Sequence, residues 1–312
     1  MASVTDLDLR LLRVFMAVAR AGSFTAAQAV LNVSQSTVSN HMAALEDRLG
    51  YRLCQRGRVG FALTEKGKAI FDQAERLFSA IDDFESASAS LKGELAGELR
   101  IGLSDNMVSD PASPVAETFR RFSARKHSVF VGLSIQPPHD LQHAVLDGRL
   151  HAAVGSFART VSGLNHHHLY DESNGFYCGR GHALFEGGSD GMSVECLGQY
   201  RVVARGYWQL EDMYRLGLRR ADATVDEMEA LLVLVLSGGY LGFLPDHYAA
   251  PWVARGDLRQ IFRGRLCHTA RFDVITRKGM APSPVLGAFL ADLAAVRGAP
   301  LTVEEDHLPL PA

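Results

Sequence analysis

Between Glu65 and Leu91 the chain has no proline and a single glycine, Gly67, and Ile70, Leu77, Phe84 and Leu91 recur seven residues apart with Ala74 and Ile81 at the intermediate positions. A seven-residue apolar repeat is the period of a helix that packs along its length on another helix. At 1.5 Å per residue such a helix is about 40 Å long, too long to be covered by a domain of some sixty residues. The repeat therefore divides the chain into a small body before it and a larger one after it. It also favours pairing with a second copy through Ile70, Ala74, Leu77, Ile81, Phe84 and Leu91. A single helix buried on its own body would leave much of that length unsupported. Gly93 and Gly97 punctuate its exit, predicting a hinge at 92–98. A length of 312 residues agrees with about two domains.

The small body is basic. Residues 1–66 hold eight Arg and Lys against five Asp and Glu, a net charge of +3 in a chain whose total is -3. Such a split excludes a uniformly basic nucleic-acid coat and leaves room for a basic head on an acidic body. Leu9, Leu12, Phe15, Val18 and Ala19 recur at helical spacing, predicting a helix over 6–20 that Ala21-Gly22-Ser23 ends. Ser23 or Thr25 caps a second, alanine-rich helix, and Asn32-Val33 makes a turn. Ser34 caps a third helix that runs to Leu49 and stops at Gly50. Val38, Met42, Leu45 and Leu49 of this helix face inward, leaving Gln35, Ser36, Ser39, Asn40 and His41 on the opposite face. Short strands at Arg52–Arg56 and Phe61–Thr64 flank Gly57-Arg58-Val59-Gly60, a hairpin with six cations and one anion between Arg48 and Lys68. A helix of amides and hydroxyls beside a basic hairpin suits duplex DNA, whose base edges take hydrogen bonds and whose phosphates take cations.

Ala21-Gly22-Ser23-Phe24-Thr25-Ala26-Ala27, Leu31–Ser39, Leu45-Glu46-Asp47-Arg48-Leu49-Gly50 and Leu63-Thr64-Glu65-Lys66-Gly67 together resemble the N-terminal signature of LysR-type transcriptional regulators. The resemblance implies a winged helix-turn-helix over 1–64, a dimerising linker helix over 65–91, and DNA contacts from Gln35, Ser36, Ser39 and Asn40, with Ser34 and Thr37 beside them and Arg56 and Arg58 on the wing. It departs from the family at Cys54, where an aromatic is usual, and at Asn40, where a cation is common. It further implies a promoter dyad bound by a homodimer or tetramer, a small-molecule effector, contact with RNA polymerase, no cofactor and no catalysis.

The larger part alternates strands (Leu99–Ser104, Val129–Gln136, Ala152–Ser156) with helices (Ser113–Ala124, Asp140–Asp147), which predicts an α/β fold with parallel strands and crossover helices. A second such unit holds a strand at Arg201–Ala204, a helix capped by Asp226 and running to Leu236, and strands at Tyr240–Leu244 and Phe272–Thr276. Ser283-Pro284 opens a closing helix. The family resemblance implies two periplasmic-binding-protein-like subdomains, 99–164 plus 268–298 and 165–267, joined by strands near Leu164–Tyr170 and Leu266–Arg271, with a tail at 299–312. Ligands of open α/β sheets sit at the carboxyl ends of strands. That rule selects Ser104, Asp105, Asn106 and Gln136 on one side and Tyr207 and Trp208 on the other, with Arg205 offsetting the charge of Asp105.

Three further patterns carry rival chemistries. Gly187-Gly188-Ser189-Asp190-Gly191 matches a hydrolase nucleophile elbow, but its glycine-rich setting reads as a loop and the elbow needs a strand before it. His166 and His168 share a strand face and, with His182 or His268, could hold a metal, although histidine is also an ordinary polar strand residue. Cys178 and Cys196 could form a redox pair, against the commoner role of buried cysteine as inert packing. No metal site is assigned. Arg13 interrupts the apolar run Leu11–Ala19, Asp6 and Asp8 make the leading segment acidic where an export signal is basic, and the longest uncharged apolar run, Ala230–Pro245, is shorter than a membrane span of ~20 residues. A cytoplasmic protein with no membrane partner is expected.

Overall fold

A computed structural model describes residues 5–57, 60–92, 94–189 and 191–303. Two compact units divide at Phe84/Glu85. The first holds α1 (Asp6–Ala21), α2 (Phe24–Leu31), α3 (Gln35–Leu49), a hairpin of β1 (Cys54–Gly57) and β2 (Gly60–Leu63), and the start of α4 (Glu65–Ser90). Local chemistry sets its boundaries. Ser23 Oγ accepts from the Ala26 amide, so Ser23 rather than Thr25 is the N-cap of α2. Asn32 ends that helix in the left-handed region at φ 51°, a conformation asparagine tolerates better than most residues. Ser34 Oγ accepts from the Thr37 amide at 3.2 Å to open α3, and Gly50 closes it at φ 80°. Leu11, Phe15, Val18, Ala27, Val38, Met42, Leu45 and Leu53 form the core, and Ile70 and Phe71 of α4 pack against it.

The second unit continues with β3 (Ala96–Leu103), α5 (Val115–Ser123), β4 (Ser128–Ile135), α6 (Pro138–Leu146), β5 (Ala152–Gly155), β6 (Leu164–Gly179) and α7 (Ala183–Gly187). It goes on through β7 (Val203–Arg205), α8 (Gln209–Leu216), β8 (Ala223–Val225), α9 (Met228–Leu236), β9 (Leu241–Pro245), α10 (Asp246–Ala254), β10 (Leu258–Ile261), β11 (Cys267–Arg277) and α11 (Pro284–Arg297). The main sheet runs β10-β6-β11-β5-β3-β4, with β9 also on β6. It is mixed and not uniformly parallel: β3 pairs parallel with β4 and β5, whereas β6, β9, β10 and β11 pair antiparallel. The antiparallel part arises because β6 and β11 are long strands that lie beside each other from Cys267↔Gly175 to Arg277↔Leu164, with an irregularity at Phe272/Asp273. They span the joining segments read from the sequence and extend well past them. One lobe is built around β3, β4 and β5, with Leu99, Ile101, Phe122, Val154 and Phe289 in its core. The other is built around β7, β9 and β10, with Phe176, Leu197, Val202 and Phe243 buried.

Candidate nucleic-acid interface and effector cleft

On α3 the structure leaves Gln35, Ser36 and Asn40 exposed, with Thr37 and Ser39 half-buried and Val38 fully buried behind them. Ser34 and Thr37 shape the start of the helix, where the Ser34 hydroxyl forms the cap and lies 2.8 Å from both Ser36 Oγ and Thr37 Oγ1. Gln35, Ser36, Ser39 and Asn40 stand beside them on the polar face of the helix.

The basic run of the hairpin is partly consumed inside the head. Arg48 pairs with Asp8, Arg52 with Glu46 at 2.6 Å and Lys68 with Glu65 at 2.8 Å. The Asp8 carboxyl falls to about 2 because Arg48 and Thr5 hydrogen-bond it. Arg56 is placed by its backbone in β1, opposite Phe61, and Arg58 lies outside the described residues. Glu46, part of the signature but with no role legible in the sequence, is buried and uses Oε1 to accept from the Leu53 amide at 2.7 Å and the Cys54 amide at 3.2 Å. It fixes the base of the hairpin to α3. Cys54 itself packs at the edge of the head core, as a replacement for a larger side chain would.

The seam on α4 splits. Ile70 is half-buried against the head core and Ala74 is buried, while Leu91, 92% exposed, lies one residue past the helix end. Leu77 and Ile81 are half-buried and Phe84 is 73% exposed.

In the second unit, Ser104, Asp105, Asn106, Arg205, Tyr207 and Trp208 converge on a small cleft between the lobes, adjoining a roomier one that Tyr207 and Trp208 also line. Gln136 does not line it. Its side-chain amide donates to Ser134 Oγ, and its position at the end of β4 leaves it on the sheet edge. Sequence reasoning missed Ser156, Glu172, Met228 and Phe272 of the lining. Glu172 lies on β6 beyond the stretch read as a joining strand. Asn106 stands in the left-handed region at φ 65°, which asparagine tolerates.

Electrostatics organise the cleft. Arg205 is buried; burial opposes its charge, but Asp212, Tyr207, Glu172 and Asp105 keep it protonated, with Asp212 3.9 Å away. Burial raises the Asp105 carboxyl, opposed by the Met228 amide and by Arg205, and pushes the Tyr207 phenol up to about 12. The guanidinium sits 5.9 and 5.8 Å from the Tyr207 and Trp208 rings. Ser104 Oγ, Asn106 Oδ1 and Arg205 Nε are buried with no hydrogen-bond partner in the protein. Three orphaned polar atoms around one cleft are what a polar ligand would satisfy.

The cap of α9 is a correction. Asp226 does not supply it: Glu227 occupies the N-cap position without a side-chain bond, and Asp105 from the opposite lobe accepts from the Met228 amide.

The rival chemistries do not assemble. Ser189 follows a helix instead of a strand, and its Oγ accepts from the Phe262 amide at 2.6 Å; Asp190 lies outside the described residues. His166 pairs with Asp273 at 3.2 Å, His168 with Asp171 at 2.9 Å, the His182 ring accepts from the Leu184 amide, and His268 packs edge-on to Phe243. Cys178 and Cys196 are both free thiols, and burial pushes Cys178 up to about 12, far from a reactive thiolate.

Comparison with known proteins gives one answer. The family model for bacterial regulatory helix-turn-helix proteins of the lysR family matches residues 9–68, and that for the LysR substrate binding domain matches 92–297. The HTH-type transcriptional activator BauR of Pseudomonas aeruginosa is 37% identical over 295 residues, covering 94% of this chain and 97% of that protein. The HTH-type transcriptional regulator PtxR of the same organism is 30% identical, covering 84% of each chain. Among solved structures, CbnR, a LysR family transcriptional regulator, superimposes with a TM-score of 0.65 at 22% identity, covering 93% of this chain and 99% of that one. A full-length CbnR complex with its target DNA gives a TM-score of 0.64, at the same identity and coverage.

Proposed function

Because the chain belongs to the LysR-type transcriptional regulators, DNA-binding proteins with an effector-binding domain and not enzymes, we propose that it acts on a promoter dyad as a homodimer or tetramer. Gln35, Ser36, Ser39 and Asn40 read base edges, and Arg56 and Arg58 of the wing neutralise phosphates. The observation that carries this reading is the exposed amide and hydroxyl face of α3, backed by the apolar core and capped at both ends. Leu77, Ile81 and Phe84, with Leu91 just past the helix end, supply the outward part of the pairing seam of α4. Exposed Phe130, Leu133 and Ile135 on edge strand β4 favour a second contact between copies, as a tetramer requires.

The effector is a small polar molecule that fills the cleft at Ser104, Asn106 and Arg205, presenting acceptors to Arg205 and donors to Asp105. By binding one arrangement of the lobes better than another it biases their relative angle. The regulator works in the cytoplasm and contacts RNA polymerase at its promoters; no helix among the described residues is long and apolar enough to cross a membrane. Footprinting with the full chain tests the first part: protection of an imperfect dyad is expected, and failure to protect any promoter fragment, with or without metabolites, overturns it. A thermal-shift screen tests the second, because a ligand at 100 times its dissociation constant adds ~2.7 kcal/mol. Loss of that shift in Arg205→Met is expected; a shift that survives places the ligand elsewhere.

A further inference from the structure

Three side chains from three different elements converge where no metal pattern is visible in the sequence. Asp110 follows β3 in one lobe, Glu172 lies on β6, and His247 is in the first turn of α10 in the other lobe. Their ligand atoms lie within 4.8 Å of one another, the sole such group of three among the described residues. His247 Nε2 stands 2.9 Å from Glu172 Oε1 and 3.6 Å from Asp110 Oδ2. Two donors of one tetrahedral ion, each about 2.0–2.1 Å from it, are ~3.3 Å apart, so both separations lie near the edge of such a polyhedron.

The outer atoms of all three groups are already engaged. Asp110 Oδ1 accepts from the Ala112 amide at 2.8 Å, and Glu172 Oε2 accepts from Asn174 Nδ2 at 3.2 Å. Ser109 Oγ donates to the Asn106 carbonyl at 3.2 Å, which leaves it free to accept from His247 Nδ1 at 3.0 Å. With its proton on Nδ1, the imidazole turns Nε2 towards two carboxylate oxygens, 2.9 and 3.6 Å away. One positive charge at that point, a metal ion or a second proton on the ring, serves all three groups, the carboxylates buried and the ring nearly so. Hydrogen bonds that fix ring tautomer and carboxylate orientation are also what a metal site requires of its surroundings.

We propose that Asp110, Glu172 and His247 bind a divalent transition-metal ion of the Zn²⁺ class, with the fourth position left to water or an effector atom. Imidazole with two carboxylates suits such an ion, and a site without thiolate excludes a preference for softer ones. The ion clips the lobes together beside the effector cleft, whose lining includes Glu172. Metal occupancy therefore sets the lobe arrangement that an effector meets. The proposal goes beyond the regulatory reading and stands or falls without DNA.

The test uses the full chain, stripped with EDTA and titrated with Co²⁺, then with Zn²⁺ in competition. One Co²⁺ per chain is expected, with the visible bands of a four-coordinate ion, no sulfur-to-metal charge transfer, and displacement by Zn²⁺. His247→Gln and Glu172→Gln should abolish the bands, whereas His166→Gln should leave them unchanged. Ser109→Ala keeps all three ligands, so it tests the site even if the ligand variants fail to fold; its affinity should fall ten- to a hundredfold. Zn²⁺ should raise the melting temperature of the wild type and not that of His247→Gln. Thiolate bands, or Co²⁺ binding unchanged in Ser109→Ala and in a folded His247→Gln, overturn the proposal. A chain that binds neither ion but whose melting temperature rises on mild acidification, an effect absent in His247→Gln, makes the occupant a proton, and also overturns it.

Discussion

The Asp105 carboxylate of one lobe accepts a hydrogen bond from the Met228 amide of the other at 2.5 Å, so the first free N–H of α9 is satisfied across the cleft. A carboxylate at a helix N-terminus meets both an unpaired donor and the positive end of the helix dipole. Replacing Asp105 by Ala should cost about 0.5–2 kcal/mol, the range for removal of a helix cap, with Asp105→Asn milder. Urea denaturation of the full chain measures it. Equal stability of the alanine variant and the wild type would show that the contact does not hold the lobes together.

Gly67 is required by close approach, not by turn geometry. It sits in the first turn of α4, where its amide donates to Thr64 Oγ1, and a Cβ built on it would lie 2.0 Å from the Leu53 carbonyl oxygen. That oxygen belongs to the backbone that Glu46 holds in place, so it cannot move away cheaply. Gly67→Ala should destabilise the head by about 1–3 kcal/mol, the usual penalty for overpacking. DNA binding should fall with it while the second unit keeps its melting transition. Calorimetry resolving the two transitions decides the matter, and an unshifted head transition would refute the steric account.

Asp8 ties the start of α1 to the end of α3 through Arg48. Its carboxyl is lowered from 3.8 to about 2, so the folded state favours the ionised form. The sign follows: this stabilisation is full above the ordinary carboxylate range and is lost as pH falls from about 4 towards 2. Asp8→Asn should therefore be less stable than the wild type at pH 6, with the gap closing on acidification. Chemical denaturation of both proteins across that range checks it; a gap independent of pH would mean the loss is steric.

The head was legible almost to the residue because its signals are local. Ser23, Ser34 and Gly50 cap helices within three or four residues of themselves, and the spacing of Val38, Met42 and Leu45 names the buried face of α3. Glu46 was not legible, since its partners at Leu53 and Cys54 arrive only when the chain turns back. The same limit governs the second unit. Strand ends marked Ser104 to Asn106 and Tyr207-Trp208, but Glu172 joins them through a strand that crosses between lobes, and the cap of α9 comes from Asp105, 123 residues away. His166 and His168 stand out by sharing a strand face, yet they pair separately, with Asp273 and Asp171, whereas the convergence of Asp110, Glu172 and His247 spans 137 positions and has no spacing to read. Alternation of strands and helices also could not reveal that β6 and β11 run antiparallel.

DNA affinity should separate the two kinds of contact in the head. If six to ten phosphates are contacted per dimer, affinity should fall ~10³–10⁵-fold between 50 and 200 mM salt. Arg48, Arg52 and Lys68 are ion-paired within the head, so their removal should act mainly through stability. Arg56→Ala should weaken every site alike and reduce the salt slope by about one for each phosphate no longer neutralised. Gln35→Ala, on the exposed face of α3, should leave that slope unchanged and relax discrimination at one position, by about 1–3 kcal/mol for a bidentate contact. Fluorescence anisotropy with a footprinted dyad and single-base variants, at several salt concentrations, gives both quantities. If Gln35→Ala alters the slope and Arg56→Ala the preference, the roles of helix and wing are reversed.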